Sequence, residues 1–238
     1  MAEVPPQEGG VPDDRLDRRI PEPELMDEAD QVEAYAAADF ADVNQGFVDR
    51  FCQSFPERVR GTVVDLGCGP ADIPLRLARA VPALEILAID AARAMLEAGR
   101  RVLASRGAAR RVRLLAARVP ALPLRGGVVD ACISNSSLHH LPEPVPFWRE
   151  VRRIARPGAA LFVMDLSRPV SRAGAREIVE RYAGQESAIL RRDFYNSLLA
   201  AFTVAEVRSQ LAQSGLERCR CEAIDDRHWL VAGRIAAG

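Results

Sequence analysis

Short apolar runs alternate with segments of helical periodicity between residues 61 and 166. Five apolar runs have the length of strands: GTVVDLG (61–67), EILAID (85–90), VRLLAA (112–117), VVDACIS (128–134) and AALFVMDL (159–166). The segments between them predict helices over 71–81, 92–107 and 144–156. Nearly continuous apolar strands are typical of a parallel sheet covered on both faces, so the pattern predicts a doubly wound α/β fold.

The pattern changes after the fifth strand. Three helical stretches follow one another at 173–184, 188–202 and 203–215, and Thr203 with Glu206 has the spacing of a capping box. Two final strands, 216–224 and 227–235, read as a hairpin. The sequence therefore predicts a mostly parallel seven-stranded sheet with an antiparallel last strand, and a helical lid over residues 167–215.

The first 58 residues differ in composition from the rest. Residues 1–22 are rich in Pro, Gly, Asp and Arg and predict a disordered leader. Two helical patterns in 23–58 predict an N-terminal helical cap, and Tyr35 in the first of them is a candidate to close over a ligand. One folded domain then spans 23–238, with its core at 59–166 and its terminal strands at 216–238.

Composition excludes several function classes. The chain of 238 residues has a net charge of -1, so no overall positive field favours nucleic acid. All 32 basic residues are arginine, which excludes Schiff-base chemistry and a lysine-bearing phosphate loop. Five cysteines without framework spacing, no secretory signal and no long apolar stretch predict a cytoplasmic protein that does not enter a membrane.

A glycine turn, GCGPAD, follows the first strand, where a doubly wound fold binds its ligands. Gly67 and Gly69 match the first two positions of the dinucleotide fingerprint, but the third holds Asp72. Asp65 and Asp72 flank the turn and would repel a pyrophosphate. A cationic ligand without phosphate, such as S-adenosylmethionine, fits these acids better. Asp90 ends the second strand, where an acid accepts hydrogen bonds from ribose hydroxyls.

Four stretches together resemble the class I S-adenosylmethionine-dependent methyltransferases, which have a Rossmann-like fold: VVDLGCGPADIPLRLA, LAIDAARAMLEAGR, VVDACISNSSLHHLPEP and FWREVRRIARPGAALFVMDLSRP. The resemblance covers about residues 60–235 and is nearest to the ubiquinone and menaquinone biosynthesis type. FYNSLLAAFTVAEVRSQLAQSGL resembles the insert that covers the substrate in those enzymes.

The resemblance implies the residues that bind the cofactor. Asp65 orients the methionine end, Asp90 holds the ribose, and Asn135 lies beside the methionyl part. The full implied set is Asp65, Gly67, Cys68, Gly69, Asp90, Ala91, Arg118, Val119 and Asn135. Two positions depart from the family: Ala71 replaces the third loop glycine, and Arg118 replaces the acid that binds adenine. An arginine does not accept a hydrogen bond from the adenine amino group, although it can stack on the ring.

Five further residues are candidates for chemistry or acceptor binding. His139 and His140 follow the fourth strand and could act as a general base, or serve a structural role. Asp165 ends the fifth strand and either contacts the substrate or caps the next turn. Arg192 and Tyr195 in the predicted lid either bind the substrate or lie on a solvated helix face.

No metal is expected from the sequence. Cys219 and Cys221 form the only close cysteine pair, and their alternation with charged residues is that of a buried strand face. The predicted function is methyl transfer from S-adenosylmethionine to a small molecule, with S-adenosylhomocysteine as product and a homodimer left open. The alternatives are an inactive S-adenosylmethionine-binding regulator and an RNA or protein methyltransferase.

Overall fold

The computed structural model describes residues 14–22, 40–57, 59–105 and 110–236. Within these residues one sheet contains all the named strands: β1 (Gly61–Leu66), β2 (Leu84–Asp90), β3 (Val112–Ala116), β4 (Val129–Asn135), β5 (Ala155–Leu166), β6 (Arg220–Ala223) and β7 (His228–Arg234). Their order is β3-β2-β1-β4-β5-β7-β6.

The strand pairing confirms the predicted doubly wound, Rossmann-like sheet. β1 pairs in parallel with β2 and β4, and β5 pairs in parallel with β4. β7 inserts between β5 and β6 and is antiparallel to both. The order reverses between β1 and β4, so the carboxyl ends of these strands form a topological switch point, which is the usual ligand site of such a sheet.

Helices cover both faces of the sheet. They are α1 (Ala41–Ser54), α2 (Asp72–Ala80), α3 (Arg93–Ser105), α4 (Val145–Ile154), α5 (Arg172–Ala183), α6 (Ala188–Ala200) and α7 (Val204–Gln213), with a 3₁₀ turn at Leu138–His140. Buried side chains of α1, α2 and α3 form one core cluster with the sheet, and those of α4 and α7 form the other. The two apolar clusters explain why the strands are apolar on both faces.

The predicted cap and lid are smaller than expected. In α1, Phe47 and Phe51 pack their rings against Phe162 of β5, so this helix belongs to the core and only its first turn borders the cleft. The other predicted cap helix and Tyr35 lie outside the described residues. At the other end, α7 packs on α4, where Trp148 Nε1 donates to Gln210 Oε1 at 3.0 Å. The lid is therefore limited to α5 and α6.

Part of the predicted disordered leader is folded against the domain. In residues 14–22, which we call the N-terminal strap, Leu16 is buried beside α5 and α6. Its backbone N–H donates to the carbonyl of Val170, and that of Ile20 donates to Leu199. The prediction missed this because one buried apolar residue and a few arginine contacts hold the strap, and these leave no hydrophobic period in the sequence.

Several local predictions are confirmed and one strand is shorter than predicted. Thr203 and Glu206 form both hydrogen bonds of the capping box at the start of α7. β6 begins only at Arg220, because residues 217–219 turn before it. Cys219 and Cys221 are both buried, as predicted for an inward-facing pair. Among the described residues, no helix has both the length and the apolar character that crossing a bilayer requires.

Candidate active site

A cleft of about 700 Å³ opens at the carboxyl ends of β1, β2 and β4. This volume lies in the range of small-molecule sites. The nine residues implied for the cofactor all line it: Asp65, Gly67, Cys68, Gly69, Asp90, Ala91, Arg118, Val119 and Asn135. His139 and His140 line it too. The topology therefore brings together residues that lie far apart in the chain, at the place predicted for the ligand.

The glycine turn between β1 and α2 adopts left-handed backbone conformations. Gly67 has φ +77° and Gly69 has φ +51°, values that glycine adopts without a steric penalty. Ala71 also has a positive φ, +63°. Ala71, which stands where the family has its third loop glycine, therefore adopts a left-handed backbone. For a residue with a Cβ this conformation costs roughly 1–2 kcal/mol.

Asp90 holds the glycine turn in place. One carboxylate oxygen accepts from the backbone N–H of Gly69 at 2.7 Å, and the other accepts from Ala92 at 2.8 Å. The resemblance implied only a ribose contact for Asp90. The structure adds a second task, since this side chain links the end of β2 to the turn that follows β1.

Among the described residues, Asp65 and Asn135 present acceptor oxygens to the cleft for which the structure shows no hydrogen-bond donor. The Asp65 carboxylate is 2% exposed at the end of β1, and no donor among the described residues bonds to it. Burial raises its pKa to about 8, and the nearby Asp90 charge adds to the shift. Within the same described part of the chain, the buried Oδ1 of Asn135 has no hydrogen-bond partner. Two unsatisfied acceptors in one cleft are expected only if a ligand supplies donors.

Asp72 has less influence on the ligand than the sequence suggested. Its carboxylate accepts from Arg76 Nε at 2.6 Å and from Asn44 Nδ2 at 3.0 Å. Because this ion pair neutralises the acid at the edge of the cleft, the repulsion of a phosphate falls mainly to Asp90, and to Asp65 once that acid ionises near pH 8. The electrostatic argument against a dinucleotide is therefore weaker than the sequence predicted.

Cys68 and the β3 loop form the remaining walls of the cofactor side. Burial raises the pKa of the Cys68 thiol well above its ordinary value, so the thiol is neutral and inert. Arg118 is exposed and Val119 is half-buried at the end of the cleft that β3 borders. These positions agree with the predicted adenine side.

Asp165 organises the 3₁₀ turn and does not line the cleft. Its buried carboxylate accepts from the backbone N–H groups of Leu138 and His139, and from the imidazole Nδ1 of His139 at 2.5 Å. Burial favours neutral forms of both side chains, but their mutual attraction lowers the pKa of Asp165 and raises that of His139. Of the two roles left open for Asp165, these hydrogen bonds support the structural one, and substrate contact by Asp165 stays untested.

Glu22 lies beside both histidines, and no motif or periodicity in the sequence indicated this position. Its Oε1 atom is 3.4 Å from His139 Nε2 and 3.2 Å from His140 Nδ1, and Ser197 Oγ donates to it at 3.0 Å. Arg19 secures this arrangement by donating to the carbonyl oxygens of His139 and Leu141 at 2.5 and 2.8 Å. The N-terminal strap thus forms part of the wall around His139 and His140.

Helix α6 presents another face to the cleft than the one predicted. Arg192 and Tyr195 lie on an outer depression between α5 and α6, and Arg192 pairs with Asp193. The cleft-lining face consists of Leu190, Asp193, Phe194 and Ser197, which are three and four residues apart. Arg192 and Tyr195 do not line this cleft, so substrate contact by them stays an untested prediction.

Comparisons with known proteins agree with this geometry. Residues 63–158 match the family described as methyltransferase domain. The Ubiquinone/menaquinone biosynthesis C-methyltransferase UbiE of Syntrophotalea carbinolica is 27% identical over 169 residues, 67% of this chain and 70% of that protein. An uncharacterized 37.1 kDa protein in a transposon of Streptomyces fradiae is 28% identical over 70% of this chain. The chain spans only 50% of the length of that protein.

A solved structure shows the same fold. The putative S-adenosyl-L-methionine-dependent methyltransferase of Methanococcus maripaludis superposes with a TM-score of 0.70 at 16% identity, covering 92% of this chain and 99% of that one. At this identity the likeness supports the fold alone, whereas the matched residues 63–158 contain the glycine turn, Asp90, Asn135 and the two histidines. Residues 63–158 thus match a methyltransferase domain, and the fold around them is the one seen in solved S-adenosylmethionine-dependent methyltransferases.

Proposed function

We propose that this chain transfers a methyl group from S-adenosylmethionine to a small-molecule acceptor and releases S-adenosylhomocysteine. The observation that supports the proposal most is the pair of unsatisfied acceptors, Asp65 and Asn135 Oδ1, beside the left-handed glycine turn. An ammonium group supplies the donors that both side chains lack. The cofactor's amino acid end has such a group, and no phosphate that the buried acid would repel.

The residues of the cleft suit the rest of that cofactor. Backbone at Gly67 and Gly69 permits close approach, and the carboxylate oxygens of Asp90, each of which can accept more than one hydrogen bond, would accept from ribose hydroxyls. Arg118 and Val119 would flank the adenine. When bound, S-adenosylmethionine supplies an electrophilic methyl group on a positively charged sulfur.

The chain's own contribution is to position the acceptor and exclude water. The acceptor side of the cleft has an apolar lining that includes Leu141, Phe147, Leu166, Leu190 and Phe194. Because the charge on sulfur disappears during transfer, such a wall does not penalise the transition state. Holding both reactants in line supplies much of the rate in reactions of this kind.

Three features favour a small acceptor. The cleft has the volume of a small-molecule site, the strap and α6 border its acceptor side, and the net charge is -1. The name of the Syntrophotalea relative suggests a carbon acceptor on a quinone precursor, and the apolar wall is compatible with it.

His139 and His140 remain the candidates to take a proton from an acidic acceptor. A cytoplasmic location, homodimer formation and the lack of a nucleic-acid partner remain expectations.

Calorimetric titration of the purified chain tests the cofactor assignment. S-adenosylmethionine and S-adenosylhomocysteine should bind with a stoichiometry of one, and NAD should not bind. Asp65→Ala and Asn135→Ala should each weaken binding by about 10- to 100-fold, as expected for hydrogen bonds to a charged group. Asp130→Asn is the matched control, because this acid lies at the amino-terminal end of β4, whereas the cleft lies at the carboxyl end of that strand. Equal affinity for NAD, or no loss in either cleft variant, would overturn the assignment.

A further inference from the structure

Three side chains with metal-binding atoms meet where the N-terminal strap crosses the 3₁₀ turn. Glu22 Oε1, His139 Nε2 and His140 Nδ1 all lie within 4.8 Å of one another. The Glu22 oxygen lies 3.2 Å from His140 Nδ1 and 3.4 Å from His139 Nε2. A tetrahedral zinc with bonds of roughly 2.0–2.2 Å requires neighbouring ligand atoms about 3.3–3.6 Å apart. The observed separations are close to that requirement.

The surrounding groups orient these atoms as they do around known metal centres. Asp165 binds Nδ1 of His139 at 2.5 Å, which fixes the ring and directs Nε2 toward Glu22. Metal-bound histidines commonly have a carboxylate on the second nitrogen. Ser197 Oγ donates to Glu22 Oε1 at 3.0 Å and holds the carboxylate in the same way.

The charges around the cluster favour a cation. Asp165, Glu22 and Arg19 are the charged groups that act on His139, so two carboxylates face one guanidinium. The guanidinium is engaged by the carbonyl oxygens of His139 and Leu141. With His139 neutral, as a metal ligand must be, the two carboxylates outweigh the guanidinium, and a divalent ion would take the place of the proton that Asp165 and Glu22 otherwise favour on His139.

We propose that Glu22, His139 and His140 form a site for a divalent transition ion such as zinc, closed by the N-terminal strap at the wall of the cleft. Two histidines and one carboxylate with an open position are a ligand set of catalytic zinc centres. His139 and His140 line the same cleft as the glycine turn. An ion there would bind an oxygen or nitrogen of the acceptor and lower the pKa of its leaving proton. Metal binding itself does not rest on the proposed methyl transfer.

The test is zinc titration of the full chain after removal of metal with a chelator, in the absence of S-adenosylmethionine. Calorimetry should show one zinc per chain, with affinity reduced at least about ten-fold in Glu22→Gln and His140→Asn. Ser197→Ala, which alters only the support of Glu22, should cause a smaller loss. His228→Gln is the matched control, because the third histidine of the chain pairs with Asp225 and should leave zinc affinity unchanged.

Two readouts keep the result independent of folding defects and of the five cysteines. Cobalt substitution should give visible bands of four- or five-coordinate nitrogen and oxygen ligation without thiolate charge-transfer absorption. Zinc should raise the melting temperature of the wild type but not that of a folded Glu22→Gln or His140→Asn variant. Thiolate bands, or equal zinc affinity in the wild type and both ligand variants, would overturn the metal site and leave the cofactor assignment unaffected.

Discussion

The carboxylate of Asp90 accepts a hydrogen bond from the backbone N–H of Gly69 at 2.7 Å, across the boundary between β2 and the turn after β1. The same side chain accepts from Ala92, so it fixes two segments that border the cofactor side of the cleft. The spacing of 21 residues between Gly69 and Asp90 therefore has a structural reason, in addition to the ligand contact that the resemblance implies.

Asp90→Asn should weaken cofactor binding by about 10- to 100-fold, as measured by calorimetry. An amide cannot accept at both positions, so either Gly69 or Ala92 loses its acceptor and the turn loosens. Asp49→Asn is the control, since that acid lies on the exposed surface of α1 and bonds to Gln45. Affinity within two-fold of the wild type would show that Asp90 does not shape the site.

Asp65 should make the protein without cofactor less stable as the pH rises. Its folded-state pKa of about 8 lies above the ordinary value of 3.8, so the folded state keeps a proton that the unfolded state releases. The free energy of unfolding should therefore fall as the pH rises from about 4 to about 8. Denaturant titrations at several pH values should show that the free energy of unfolding depends less on pH in Asp65→Asn than in the wild type. The same pH dependence in both proteins would contradict the raised pKa of Asp65.

The same ionisation should govern cofactor affinity with the opposite sign. Binding of the ammonium requires the charged carboxylate, so affinity for S-adenosylhomocysteine should rise between about pH 6 and pH 8. Titration of the cofactor's own amine contributes equally to the pH profiles of the wild type and of Asp65→Asn. The difference between the two pH profiles therefore isolates Asp65, and parallel profiles would sink this prediction.

Substitutions in the glycine turn should separate stability from binding. Gly69→Ala and Gly127→Ala introduce a Cβ at positive φ with open space around it, and each should cost roughly 1–2 kcal/mol of stability. Of these two glycines, Gly69 lines the cleft and Gly127 does not, so of this pair the Gly69 variant alone should also lose cofactor affinity. Gly67→Ala should be the least stable because its Cβ would overlap Ser137 Oγ. Equal affinity in the Gly69 and Gly127 variants would contradict the placement of the turn.

The two faces of α6 should differ in their effect on turnover. Phe194→Ala removes a ring from the cleft and should raise the KM for the acceptor about ten-fold, since the contacts of a half-buried ring contribute roughly 1–2 kcal/mol. Arg192→Ala lies on the outer depression and should leave both kinetic constants unchanged. A larger effect of Arg192 than of Phe194 would restore the acceptor contact predicted from the sequence.

The sheet was predictable because a strand buried on both faces leaves a continuous apolar run, and the seven strands follow that signal closely. The cofactor side was predictable as well, since Asp65, the glycines and Asp90 lie at the ends of the first two such strands. Their positions in the chain thus determine their positions in space.

The acceptor side was not predictable in the same way. Glu22 reaches the histidines from a segment with one buried apolar residue, and its contacts span more than a hundred residues of sequence. In α6 the charged and aromatic residues occur on both faces, so composition did not indicate that Leu190 and Phe194, and not Arg192 and Tyr195, face the cleft. The hydrogen bonds of Asp165 could not be predicted either, because its backbone donors belong to the turn after β4, 27 residues away in the sequence.

The central claim is methyl transfer to a small molecule, and isotope transfer tests it most directly. The purified chain would be incubated with methyl-labelled S-adenosylmethionine and a metabolite extract, and the products analysed by mass spectrometry. We expect a labelled small molecule and an equal amount of S-adenosylhomocysteine, both abolished in Asp65→Ala. Cofactor binding without S-adenosylhomocysteine release in any extract would contradict the enzyme and support a regulatory S-adenosylmethionine-binding protein.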